Sequence, residues 1–223
     1  MANYKAGLKT KDIVINEARR LFFEKGYDKT TFQDIADSTG VLPSVIAYHF
    51  KSKKNLFLKT FEDFMIKRVA YANSILVENE KENVILDVYF AFCIDYYRAF
   101  GDVRWQNFMK IPVDASMEMS KNYYEEILKK LDPIIKPMGD YEENSLNVNV
   151  CFAADNALYT TLFNNFDYYK DKYSFIDVAE YEIRIIAKFF KSDKQKMQEM
   201  FLNTRKFANE FDWSTVNTDI TLM

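Results

Sequence analysis

An all-α fold is predicted by three features of this sequence: turn-forming residues are scarce, Lys, Glu, Leu, Ile, Phe and Tyr are abundant, and apolar positions recur three and four residues apart. Five glycines and four prolines in 223 residues are too few for a turn-rich β protein. A hydrophobic content of 48% supplies ample core for one large or two small domains. No internal repeat, low-complexity tract or glycine-rich phosphate loop interrupts the pattern.

The chain opens on a polar arm, Met1 to Lys9, expected to be flexible; its lysines either reach a DNA backbone or minor groove or simply fray in solvent. From Thr10, a possible N-cap, to Lys25, the residues Val14, Ala18, Leu21 and Phe22 fall on one helical face, and Gly26 ends the helix. Thr31 and Asp34 have the spacing of a capping box, which covers the orphan amides of a short helix carrying Phe32, Ile35 and Ala36 inward. Ser38-Thr39-Gly40 supplies a turn, and Pro43 suits the first position of a second short helix, where its missing N–H costs nothing. Val45, Ile46 and Phe50 give that helix a buried side and leave Ser44, Tyr48 and His49 available elsewhere. Lys51, Lys53 and Lys54 follow at once. Two short helices, a glycine turn and a basic exit are the sequence form of a DNA-binding helix-turn-helix.

The order Gly26-Tyr27, Thr30-Thr31, Asp34-Ile35-Ala36, Gly40-Val41, then Tyr48-His49-Phe50-Lys51-Ser52-Lys53 and Leu56 resembles the N-terminal domain of the TetR (tetracycline repressor) family of bacterial transcriptional regulators. The resemblance covers about the first quarter of the chain. It implies a three-helix DNA-binding domain at residues 1–52, a larger helical body at 53–211 for ligand binding and dimerisation, and a tail at 212–223. By position in the motif, Thr31, Tyr48, His49 and Lys53 match places where the family contacts the DNA backbone, with Lys51 adding charge beside them. Gln33, Pro43, Ser44 and Val45 lie where it faces base edges. Gln33 has the donor and acceptor to pair with adenine, and Pro43 and Val45 are suited to thymine methyl groups. Two departures stand out. Leu42 occupies the usual position of a capping serine, and Ala47 replaces a tyrosine that many members use against phosphate.

Beyond the motif, Ser52 can cap a helix from Lys53 to roughly Asn79, with Leu56, Phe57, Thr60, Phe61, Phe64 and Val69 along its stripe. Asn83 introduces a helix that is apolar almost all round, from Leu86 through Tyr89, Phe92, Cys93 and Tyr96 to Phe100; Gly101-Asp102 stops it. A short aromatic segment, Arg104 to Ile111, precedes helices expected at Ala115 to Ile135, Glu142 or Glu143 to Tyr169, Phe175 to Phe190 and Asp193 to Phe211. Asp212 to Met223 is expected to be extended or disordered.

The resemblance locates a small-molecule pocket in the body. Tyr89, Phe92, Tyr96, Trp105, Phe108, Met109, Met117, Tyr123, Phe152 and Tyr159 would make an aromatic, methionine-rich wall for an apolar or planar effector, and Asp95 and Asp155 would orient a cationic group. Taken singly, each of these residues reads first as core, because aromatics at helical spacing are packing residues by default, with the aspartates paired or solvated. For a homodimer, Val150, Ala153, Ala154, Ala157, Leu158, Thr161 and Leu162 form one small-residue stripe and Ala179, Ile183, Ile186 and Phe190 a second. Both stripes fit either a partner chain or the last helix.

Charge divides unevenly. Up to Asn55, ten Lys and Arg face six Asp and Glu, a net of +4, whereas the remainder carries 20 against 27, a net of −7. A basic head on an acidic body presents the head to phosphate. The polar N-terminus, the charges at Asp87, Asp95 and Arg98 within the densest apolar run, and two distant cysteines predict a cytoplasmic protein with no membrane partner. One histidine, His49, rules out the paired Glu-x-x-His ligands of a di-iron bundle, and no nucleophile with its base is visible. No enzyme activity, metal or cofactor is expected. The predicted function is a dimeric regulator on a near-palindromic duplex operator, with repression relieved by an unidentified small molecule. The alternative is a dimeric DNA-binding regulator without a ligand, controlled by its abundance or by a protein partner.

Overall fold

The computed structural model describes residues 2–76, 84–112, 115, 154, 157–186, 188 and 194–220; these form helices and connecting turns, and no strand occurs among them. Three helices make the head: α1 (Ala2–Lys25), α2 (Phe32–Thr39) and α3 (Pro43–Phe50). The arm expected to be flexible is the first part of α1, so Thr10 is interior to a helix and not its cap. Adding residues to an existing helix gains a hydrogen bond each without renewed nucleation, and no proline lies between Ala2 and Thr10 to stop it. Gly26, at φ 82°, ends α1 with its N–H on Phe22 O. Thr30 is fully buried, and its hydroxyl donates to Leu21 O and Gly26 O, which fixes the turn into α2.

The body begins with α4 (Lys53–Ile75), whose first turn is capped by the Ser52 hydroxyl accepting from the Asn55 N–H. It continues through α5 (Val84–Gly101) and α6 (Val103–Met109), the latter capped by Asp102. Residues 157–164 are helical, but a turn at Asn165 separates them from α7 (Phe166–Tyr169), so the single helix expected to reach Tyr169 is broken there. Then come α8 (Phe175–Ile186) and α9 (Lys194–Glu210). Ser174 and Asp177 form a capping box ahead of α8 that the sequence reading passed over.

One apolar cluster runs through both parts. It includes Val14, Phe22, Ile35 and Phe50 of the head, Phe57, Phe61 and Phe64 of α4, and Trp105, Phe108, Phe163 and Ile183 of the body. α5 is its central rod, with α4, α6, α8 and α9 packed around it, while α1 lies against both α4 and α6. Ala179 and Ile183 are buried in this core, so that part of the second stripe is filled within one chain and offers no surface to a partner.

The segment after α9 is ordered against the bundle. A 3-10 turn, Trp213–Thr215, leads into a stretch whose buried Val216 joins a second cluster of Ala72, Leu76, Phe90, Ala91 and Ile94, while its buried Ile220 joins the main one. Expected to be extended or disordered, the described residues 212–220 are held to the bundle by spaced apolar anchors and backbone hydrogen bonding.

Candidate nucleic-acid interface

The head is assembled by local chemistry. Thr31 Oγ1 accepts the Asp34 N–H at 3.1 Å, and Asp34 Oδ2 accepts the Thr31 N–H at 2.8 Å, closing the capping box on α2. Lys25, at the end of α1, donates to Asp34 Oδ1 at 2.8 Å, so one carboxylate joins two helices. The Lys25 hydrogen bond, followed by those from Thr31, holds the Asp34 carboxyl well below the usual carboxylate range. Gly40, at φ 70°, closes α2 and directs the chain to α3, where Leu42 makes no side-chain cap and Pro43 takes the first turn.

The nine residues expected at DNA lie on this surface with different freedom. Thr31, Gln33, Ser44, Tyr48 and Lys51 are exposed; Pro43, Val45, His49 and Lys53 are half-buried. Tyr48 is 72% exposed, an unusual state for a large ring, and stands against His49 with ring centroids 5.3 Å apart. The Gln33 amide donates to Asp37 Oδ1 at 2.6 Å, a bond that reading a base would have to exchange. Ile46 and Phe50 anchor α3 to the core.

Two lysines at the exit of α3 differ in kind. Lys51 has φ 65° and ψ −42°, and the Ser52 N–H donates to Phe50 O at 2.7 Å across it, which makes a strained γ-turn centred on a residue with a side chain. Its ammonium lies 5.0 Å from the Tyr48 ring centroid. Lys53 instead turns back to the protein. Its Nζ donates to Tyr27 O at 2.9 Å and Asp28 O at 3.3 Å, and sits 4.4 Å from the Tyr27 ring centroid. Lys53 therefore ties the start of α4 to the α1–α2 turn, a role the motif did not reveal.

In the body, Tyr89, Phe92, Tyr96, Trp105, Phe108, Met109 and Tyr159 are brought together in the apolar cluster, each at most 3% exposed. Met117, Tyr123, Phe152 and Asp155 lie outside the described residues. The phenols of this group are hydrogen-bonded: Tyr89 to Glu180, Tyr96 to Glu182, and Tyr159 to Met109 Sδ. Asp95, expected to orient a cationic group, is fully buried and already bonded to Arg68. Burial pushes its carboxyl above the ordinary range, against the opposing pull of Arg68 and Arg98. Sequence reading missed Arg68 and Glu182, although charges inside apolar helical runs are the signal of a buried polar network.

The pattern of bacterial regulatory proteins, tetR family, matches residues 14–60. The biofilm operon icaADBC HTH-type negative transcriptional regulator IcaR of Staphylococcus aureus is 30% identical over 139 residues, 60% of this chain and 70% of that protein. This chain belongs to the TetR family. The IcaR protein of Staphylococcus epidermidis is 27% identical over 137 residues, 55% of this chain and 70% of that protein. Among solved structures, the fatty acid degradation regulator FadR of Bacillus halodurans has a TM-score of 0.48 at 14% identity, over 79% of this chain and 97% of that one. As a TetR-family member the chain is a DNA-binding transcriptional regulator and not an enzyme. Its head is the helix-turn-helix and its body the larger helical part. Among the described residues no helix is long and apolar enough to cross a membrane.

Proposed function

We propose that this chain is a homodimeric repressor that leaves its operator when a small apolar or aromatic molecule enters the body. The observation that carries this reading is the direct path from α3 through the Lys51 turn into α4, whose Phe57, Phe61 and Phe64 belong to the same cluster as the seven described wall residues. The Staphylococcus relatives, named as negative regulators, support the repressing sense. In a dimer, two α3 helices roughly 34 Å apart would enter successive major grooves and read a near-palindrome. An effector that binds better to a body with a different head separation lowers DNA affinity by that difference.

Thr31, Tyr48, His49 and Lys51 are assigned to phosphates, and Gln33, Pro43, Ser44 and Val45 to base edges. The test is fluorescence anisotropy on fragments of the source genome over a salt series. Wild type should bind a few fragments selectively, with affinity falling steeply as salt rises. Gln33→Ala should change the ranking of fragments; an equal loss on every fragment would refute base reading at this position.

A second reading is a regulator without an effector, and the mutual burial of the seven wall residues favours it. A panel of apolar and aromatic compounds separates the two. Compounds that raise the melting temperature and weaken duplex binding support sensing, whereas a flat panel with duplex binding intact supports control by abundance or a protein partner.

A further inference from the structure

The backbone at Asn217 and Thr218 is gripped by side chains from three helices. Tyr71 of α4 accepts the Asn217 N–H on its hydroxyl at 2.6 Å. Arg98 of α5 donates to Asn217 O from Nε and a terminal nitrogen, at 2.9 and 2.5 Å. Trp105 of α6 donates its indole N–H to Thr218 O at 3.0 Å. The Arg98 guanidinium lies between the rings of Tyr71 and Trp105, at 5.1 and 4.7 Å from their centroids. Ahead of this grip, Trp213 is seated against Phe90, Tyr97, Phe175 and Phe211, and its N–H donates to Ala208 O.

Of the elements the segment holds, α4 and α6 are in contact with the head. Two residues separate the end of α3 from the start of α4. Trp105 of α6 meets Phe23 of α1 edge-on at 5.0 Å, Arg104 covers Phe23 at 5.1 Å, and Asn107 packs beside Gly26. Apolar anchoring alone would make this an ordinary packed terminus. Here a cation that is 1% exposed directs two donors onto one carbonyl of the segment, so lifting the segment obliges the α5–α6 corner to move or admit water. Trp105 would pass that movement to α1.

We propose that residues 212–220 are a positioning strap that holds α4 and α6, and through them the head, in the orientation that binds duplex DNA. The strap touches the operator nowhere; it sets affinity by limiting the orientations of the head. It is therefore a second point of control, apart from base contacts and any effector.

The test uses the full chain. Val216→Lys puts a charge beneath the strap, and Trp213→Ala empties its aromatic seat. Amide hydrogen exchange, circular dichroism and anisotropy on the tightest wild-type fragment are the readouts. With helical content retained, amides of 103–110 and of the α1 end near Phe23 should exchange roughly tenfold faster, and duplex affinity should fall about fivefold. Unchanged affinity despite a loosened strap overturns the proposal, as does a loosened strap without faster exchange at α6 and α1. Should either variant not fold, Tyr71→Phe carries the test: it keeps the ring, deletes the acceptor of the Asn217 N–H, and should lower affinity about twofold, with equal affinity the contrary result. If wild type bound no duplex, DNA reading itself would fail, and the exchange response of α6 and α1 would still decide whether the strap holds them.

Discussion

Lys51 occupies a backbone conformation that a residue with a Cβ adopts at a cost of order 1 to 3 kcal/mol, at the point where α3 hands the chain to α4. Glycine would relieve that strain, so Lys51→Gly should raise the thermal midpoint while weakening all duplex binding about equally and reducing the salt slope by about one. A stability gain with unaltered salt dependence would remove Lys51 from the phosphate surface. Lys53→Ala should behave differently, because its ammonium bonds two carbonyls of the α1–α2 turn. It is expected to lower the thermal midpoint together with affinity, and loss of affinity alone would mean that the turn does not depend on it. The motif placed Lys53 against the DNA backbone and Lys51 only as charge beside it, the reverse of their freedom in the structure. Residue types and spacing assign positions to the surface of the helix-turn-helix, but do not tell which ammonium is already held by backbone oxygens. Asp95 makes the same point in the body, since the residue bonded to it, Arg68, is 27 positions away on another helix. Asp95→Asn should destabilise the fold by about 3 kcal/mol in urea unfolding, because it leaves a guanidinium buried beside a neutral group.

Elements whose ends are written in side chains were legible at their ends. Thr31 with Asp34, Gly40, Pro43 and Ser52 each do in the structure what their chemistry predicts. Elements whose bounds carry no such signal were not: α1 extends through residues without a cap, the turn at Asn165 divides an apolar run, and Asn217 and Thr218 of the strap are held by groups more than a hundred residues away in sequence. The α2 cap makes a pH prediction. Asp34 is held below its ordinary range, so its contribution is fully present above the unfolded value of about 4 and is lost as pH falls through the lower folded value. Head amides measured by hydrogen exchange should lose protection in that acid window, and Asp34→Asn should abolish this part of the pH dependence. Persistence of the same acid slope in Asp34→Asn would assign it to other carboxylates.

Across the whole molecule, the sequence pattern sets a basic head, counted to Asn55, against an acidic body, yet the apolar core does not divide there. Phe57 of α4 meets Phe22 and Tyr27 of the head at 5.3 and 5.2 Å and Phe61 and Phe108 of the body at 5.7 and 6.5 Å. Periodicity could assign each of these rings to a buried face but not to a shared one, because the face opposite a helical stripe is set by packing between distant segments. Head and body packed through one ring should unfold together. In wild type, Trp fluorescence, which reports Trp105 and Trp213 in the body, and hydrogen exchange of α2 and α3 should give one coincident transition in denaturant. Phe57→Ala removes a fully buried ring and should cost about 3 to 5 kcal/mol, moving both probes by the same amount. A body transition that stays in position while the head opens early would mean that the head folds and unfolds on its own. Movement of the head during regulation would then require only a local opening. A coincident shift requires instead that any change in head orientation repack the aromatic column around Phe57, so the energy separating DNA-competent from DNA-released states would reside in that column.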